Sequence, residues 1–294
     1  MMIPDPIAGL GGHGLRPSTD SGEVLLLDAD RDRDSDSLLE IQGLTKDFGG
    51  LRAINGCSLG VRQGTITGLI GPKGAGKTTL FNIITGFIRP DVGRVHFRGR
   101  DITNLPPYRI FERGLARTFQ IPREHQSMSV LENLMLVPYG QSGEHIWNAW
   151  LRPGTVRDQE ARNRDKAYEV LEFCDLTHMA QEPAGRMSGG QKKLLELART
   201  LMADPDCVLL DEPAAGINRT LMQRLTDNIE YLRRERGITF LVIEHDMDLV
   251  MSLCDPVIVM SEGHYLMEGA PEEVRSDQRV LEAYLGGQYA AAEG

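Results

Sequence analysis

The segment Gly71-Pro72-Lys73-Gly74-Ala75-Gly76-Lys77-Thr78 restricts the possible folds of this chain more than any other. It follows the apolar run Thr65–Ile70 and opens a stretch that reads as a helix from Gly76 to about Ile84. The glycines let the backbone curl so that several N–H groups point inward. They meet a helix N-terminus, and both favour an anion. A Gly-x-x-x-x-Gly-Lys-Thr spacing between strand and helix is a phosphate-binding loop. Lys77 is placed to reach the β- and γ-phosphates of a nucleotide, and the Thr78 hydroxyl to coordinate Mg²⁺. The nucleotide-binding set then runs Gly71, Pro72, Lys73, Gly74, Ala75, Gly76, Lys77, Thr78 and Thr79.

The rest of the chain supplies the sheet that such a loop needs. Leu38–Gln42, Cys57–Val61 and Gly93–Arg98 read as strands. Residues 127–137 and 157–175 read as helical, the second with Ala167, Val170, Leu171 and Cys174 at helical spacing. Then come strand Cys207–Leu210, helix Thr220–Arg236, strand Ile238–Ile243, helix Met247–Cys254 and strand Val257–Met260. Strands alternating with helices predict a largely parallel sheet covered on both faces. The helical stretch interrupting them, about 123–203, is expected to form its own subdomain.

Val208-Leu209-Leu210-Asp211-Glu212 is a buried-strand run ending in two acids. The C-terminal ends of parallel strands border the ligand crevice of open α/β sheets. Asp211 is therefore placed to hold Mg²⁺ and Glu212 to polarise an attacking water. Phosphoryl transfer needs positioning and charge neutralisation more than covalent chemistry.

Residues 1–36 differ in composition. They are rich in Gly, Pro, Ser and Asp and carry eight acids against three bases. A segment of this kind cannot bury enough apolar surface to offset its ordering entropy, so a disordered acidic tail is expected. The whole chain has a net charge of -10, which argues against non-specific nucleic-acid binding. Cys57, Cys174, Cys207 and Cys254 lie far apart without metal-ligand spacing and read as buried reduced thiols. No stretch approaches the roughly 18 apolar residues that span a bilayer, and no basic region with an apolar core opens the chain.

Two further motifs lie between the phosphate loop and the acidic strand end, and others follow it. Met187-Ser188-Gly189-Gly190-Gln191 opens an apolar-periodic helix (Leu194, Ala198, Leu201) and resembles the ABC signature motif. Helix capping accounts for Ser188, but on sequence grounds not for Ser-Gly-Gly-Gln as a whole. Gln120 in Thr118-Phe119-Gln120 matches the family's Q-loop. Ala214-Ala215-Gly216-Ile217-Asn218 matches its D-loop, His245 its switch histidine, and Phe48 the aromatic that stacks on adenine. From about 38 to 286 the chain resembles the ABC transporter ATPases. Three positions depart from the usual pattern: Lys73 replaces Asn, Met187 replaces Leu, and Phe48 replaces Tyr. None removes a catalytic group.

This resemblance implies a fold: a mainly parallel α/β core, an antiparallel β subdomain and an inserted helical subdomain, within an ATPase domain at 37–287 and a short tail at 288–294. It implies ATP and Mg²⁺ as ligands, with Glu212, His245 and Gln120 catalytic and Thr78, Gln120 and Asp211 around the metal. It also implies a head-to-tail pair of subunits in which Ser188, Gly189, Gly190 and Gln191 face the partner's ATP.

Phe48-Gly49-Gly50-Leu51, Leu115–Gln120, Asp211–Gly216, Glu244–Met247 and Ala283-Tyr284-Leu285-Gly286 are similar to the branched-chain amino-acid importer ATPases, in particular their LivG-type group. Two membrane permeases, a second ATPase subunit and a solute-binding protein follow as partners, no nucleic acid as one, and the cytoplasmic face of the membrane as the location. Lipopolysaccharide-export ATPases share much of this sequence style. A soluble ABC ATPase outside transport is the other alternative, but the chain has neither duplicated motifs nor a long coiled coil. The presence of Glu212 and His245 argues against a non-hydrolysing subunit.

Overall fold

The computed structural model describes residues 37–118, 124–141 and 153–290 of the 294. The expected acidic tail and Gln120 lie outside the described residues.

Two sheets organise the chain. β1 (Ser37–Phe48) and β2 (Leu51–Arg62) form a long hairpin, and β4 (Val92–Phe97) and β5 (Arg100–Asp101) extend it into a four-stranded antiparallel sheet ordered β2-β1-β4-β5. The second sheet has six strands. β3 (Ile66–Ile70), β6 (Leu115–Arg117), β7 (Cys207–Asp211), β8 (Thr239–Ile243) and β9 (Val257–Ser261) run parallel, and β10 (His264–Gly269) pairs antiparallel on the edge. The order is β10-β9-β3-β8-β7-β6. Every residue of β3, β7 and β8 is buried. Continuous apolar runs of this kind belong to strands covered on both faces.

Side chains alternate across a strand, and the two faces feed two cores. Leu69, Leu209, Leu241, Ile258 and Met260 face the antiparallel sheet and α1 (Lys77–Ile84), meeting Leu39, Ile41, Leu59, Phe81 and Phe97. Ile70, Val208, Leu210, Phe240, Val242 and Val259 face the other way, into a core built by helices. There α3 (Val130–Met135), α4 (Pro153–Phe173) and α5 (Gly189–Leu201) pack on one another through Val130, Leu134, Ala167, Leu171, Leu194 and Ala198. α6 (Arg219–Arg236) and α7 (Met247–Leu253) cover the same face with Leu225, Ile229, Leu249 and Val250. The helical periodicity seen at Ala167 and Leu171 is the buried stripe of α4, and Cys174, also buried, lies just past its end.

Several short elements carry too little pattern to be read from sequence. They are α2 (Pro107–Phe111), the three-residue β6, and β10. At the C-terminal end, α8 (Pro271–Ser276) and α9 (Gln278–Ala290) follow the sheet, and α9 runs three residues into the segment expected to be a tail. All four cysteines are free and buried, as expected.

Candidate nucleotide site

The phosphate loop joins β3 to α1 at the C-terminal edge of the parallel sheet. Its fit there depends on glycine. A Cβ at Gly71, where φ is 150°, would sit 2.0 Å from the Met260 carbonyl oxygen. One at Gly76 would sit 2.5 Å from the Ala53 oxygen and 2.7 Å from Ile54 Cδ1. The loop is thus wedged between β9 and β2. Lys77 turns inward: its Nζ donates to the Gly71 carbonyl over 2.7 Å and to Pro72 over 3.0 Å. Burial holds the Lys77 ammonium below its ordinary range, and the charges of Glu212 and Asp211 oppose that shift. Lys73, Gly74 and Thr78 are exposed on the rim, with Pro72 and Thr79 half-buried and Ala75 buried.

Asp211 closes β7 and is 4% exposed. A buried carboxylate needs a counter-charge. Arg117 provides it, donating from Nη2 to Asp211 Oδ2 over 2.7 Å. The same guanidinium donates to Asn82 Oδ1 over 2.7 Å, reaches Thr85 Oγ1 at 3.3 Å, and lies over the Phe81 ring. It therefore ties the acidic strand end to the helix that follows the phosphate loop. Arg117 was not marked as a site residue in the sequence. The one available signal was an arginine entering an otherwise apolar strand beside Gln120.

Glu212 follows in the left-handed region, at φ 50°. This backbone conformation is unusual for a residue other than glycine. It is held on both sides: the Glu212 N–H donates to Ile243 O over 2.9 Å, and Ala215 N–H donates to Glu212 O over 3.1 Å. Lys193 of α5 also reaches the Glu212 carbonyl, at 3.3 Å. Glu212 Oε1 lies 3.0 Å from His245 Nε2. The structure thus brings Lys77, Asp211, Glu212 and His245 to one sheet edge.

Glu244 was not marked either. It is 4% exposed, and its two oxygens accept from Ala214 N over 2.8 Å and His245 N over 3.1 Å. Burial pushes its carboxyl above the ordinary range, partly opposed by the amides of Ala214, His245 and Asp246. An acidic residue beside a histidine in a polar loop gives no hint from sequence that it is buried.

Ser188 caps α5. Gln191 N donates to Ser188 Oγ over 3.3 Å, and Ser188 N to Gln191 Oε1 over 2.9 Å, a reciprocal capping box. A Cβ on Gly190 would lie 2.4 Å from Leu221 Cδ1, whereas Gly189 faces open space. Capping and packing thus account for Ser188, Gly190 and Gln191, more of this motif than the sequence reading allowed. Only Gly189 has no local structural reason. Asn218 and Asp246 likewise serve as N-caps, of α6 and α7. Phe48 ends β1, is 44% exposed, and has Lys46 Nζ over its ring at 5.4 Å.

A glycine loop at the edge of a parallel sheet, an inward lysine and two carboxylates at the end of the strand two places away define a P-loop nucleoside-triphosphate-binding protein. Comparison with known proteins narrows the class. The pattern of the ABC transporter family matches residues 54–215, and that of the branched-chain amino acid ATP-binding cassette transporters matches residues 266–290. The probable branched-chain amino acid transport ATP-binding protein LivG of Archaeoglobus fulgidus is 42% identical over 85% of this chain and 96% of its own length. The high-affinity counterpart BraF of Pseudomonas aeruginosa is 40% identical over 85% and 98%. Among solved structures, a nucleotide-free ATP-binding cassette from an ABC transporter superposes with a TM-score of 0.73 at 38% identity, covering 84% of this chain and 98% of that one. A cassette in its ADP conformation gives 0.71 at 38%, covering 85% and 99%. The chain belongs to the ABC transporter family, as one of its ATP-binding, ATP-hydrolysing cassettes.

Proposed function

We propose that this cassette powers uptake of branched-chain or related amino acids, working as one of two paired ATPase subunits on a pair of membrane permeases. The observation that carries the transport class is the match of residues 266–290 to the branched-chain family, joined to 42% identity with a relative of that name over nearly its full length. That C-terminal match favours the importer over a lipid-export ATPase. Among the described residues no helix is long and apolar enough to cross a membrane. Such a cassette docks on subunits that do cross it, here at the cytoplasmic face, with a solute-binding protein delivering the cargo outside.

In this reading the backbone of 71–79 and the Lys77 ammonium cradle the phosphates, and Phe48 stacks on the adenine. Glu212 accepts a proton from the attacking water, and His245 orients Glu212 and contacts the γ-phosphate. Gln120 belongs to the same catalytic group. Ser188, Gly189, Gly190 and Gln191 face the nucleotide of the partner subunit. Asp211 has one carboxylate oxygen beyond that held by Arg117, and Thr78 exposes a hydroxyl. These oxygens suit Mg²⁺, a hard ion that takes few protein ligands and keeps phosphate and water oxygens around it, and this reading adds Gln120 as a further ligand. Bound there, Mg²⁺ would neutralise phosphate charge.

The test is capture from detergent-solubilised source membranes with tagged Glu212→Gln in ATP. Two polytopic permeases and a second ATPase should come down, and the associated binding protein should bind a branched-chain or similar amino acid. Recovery of lipid-export components, or of soluble partners alone, would overturn the proposal.

A further inference from the structure

The contacts around Glu212 and His245 are joined at one buried carboxylate. Glu244 accepts an N–H from Ala214, in the loop that follows Glu212, and another from His245. Both loops leave the ends of neighbouring strands, β7 and β8, which pair in register through Asp211↔Ile243. Beyond that register the ladder continues only through Glu212 N–H to Ile243 O. Past this last bond, Glu244 is the bridge that carries each chain direction onward: one oxygen goes to each loop. Neither neighbouring side chain can replace it. Ala214 has no polar group, and the Asp246 side chain is used in capping α7. Glu244 thus borders the Glu212–His245 pair, bonding the backbone of His245 and lying within reach of the Glu212 charge.

We propose that Glu244 is a positioning residue: its carboxylate yokes the loop after Glu212 to the loop bearing His245 and so sets the spacing of that pair. The inference rests on the roles given above to Glu212 and His245. N–H groups of both loops, Ala214 on one side and His245 and Asp246 on the other, converge on one acceptor group, and a carboxylate accepts at both oxygens while a carboxamide accepts at only one. Glu244→Gln therefore keeps the volume but turns an NH₂ group toward either Ala214 N–H or His245 N–H. One bridge breaks whichever way the amide lies.

The experiment combines amide hydrogen exchange and ATP turnover on the full chain, with Glu244→Gln and Glu244→Ala. Exchange should accelerate together in residues 214–217 and 244–246, and stay unchanged in the phosphate-loop amides of 73–78 and in the α5 cap at 188–191. Turnover should fall on the order of ten- to a hundredfold, the scale of an ångström-size misplacement, while KM for ATP moves less than about threefold. Combined with His245→Ala, the Glu244→Gln loss should not multiply, because the partner being positioned is gone. Unchanged exchange in either loop overturns the yoke whatever the turnover. So does exchange rising throughout the chain, which would mark Glu244 as a general packing residue, or full multiplicativity with His245→Ala. Failure of the catalytic reading has a different signature: Glu212→Gln would turn over normally while the exchange pattern of Glu244→Gln still showed the two loops released together.

Discussion

The side chains of Glu212 and His245 meet at 3.0 Å, from Oε1 to Nε2, across the ends of two adjacent parallel strands. With its proton on Nε2, the imidazole donates to the carboxylate and fixes one of its oxygens. A carboxylate so restrained loses little freedom on reaching the reactive geometry, which is what positioned acid–base groups contribute.

Glu212→Gln should keep ATP binding and lose turnover by about 10² to 10⁴, the range for removing a positioned general base. His245→Ala should lose less if its task is to orient Glu212. Nucleotide titration beside steady-state phosphate release separates binding from turnover. Normal release by Glu212→Gln removes it from the chemistry.

Gly71 and Gly74 differ in a way that substitution by alanine should expose. At Gly71 the added methyl carbon collides with a backbone oxygen 2.0 Å away, whereas at Gly74 nothing lies within 4 Å and only the φ of +82° is unfavourable. Gly74→Ala should cost about 1–2 kcal/mol, the usual penalty of a left-handed residue. Gly71→Ala should cost more than about 3 kcal/mol, the upper end for overpacking, and weaken nucleotide binding. Urea melts of both variants decide this, and equal costs would mean that the loop moves aside freely.

Arg117→Met strands a buried carboxylate. Losing one partner of a buried ion pair costs about 3–5 kcal/mol. Arg117→Met combined with Asp211→Asn should recover part of that loss, since the uncompensated charge is then gone. A urea-denaturation cycle over the four proteins measures the coupling, and additive losses would show that the two residues act independently.

All four thiols are buried, and burial pushes each up to about 12 from a reference of 9.0. Native protein at pH 8 should therefore resist thiol reagents, and denatured protein should titrate four groups. Between pH 9 and 12 the unfolded thiols release protons that the native state retains. Stability must accordingly fall as pH rises through that window. Rapid labelling of any cysteine in native protein would show that its site opens locally.

The fold was legible where pattern is long. The phosphate loop, the buried strands 207–211 and 239–243, and the stripe on α4 follow from residue spacing alone. β6 was not legible, because three residues carry no period and its place is set by pairing with β7. Lys77, Asp211, Glu212 and His245 were legible because each occupies a fixed place in a local motif. Arg117 and Glu244 were not, since their importance lies in partners far along the chain: Arg117 bonds Asn82 and Asp211, and Glu244 bonds Ala214. A sequence displays a residue's neighbours in the chain and not the groups it meets after folding. The signature segment erred the other way, as local capping explained more of it than the motif's rarity suggested.

The Ser188 hydroxyl has two lone pairs and one proton, and the cap at the start of α5 engages it only as an acceptor. Its proton is thereby left unclaimed by the helix and can be given outward without loosening the first turn. In the function proposed above, a single oxygen in this way faces two directions at once, stabilising its own subunit while remaining a donor to a phosphate brought up by another. Alanine would abolish both uses. Threonine keeps the same oxygen and hydrogen, and is the substitution in which the two should survive together.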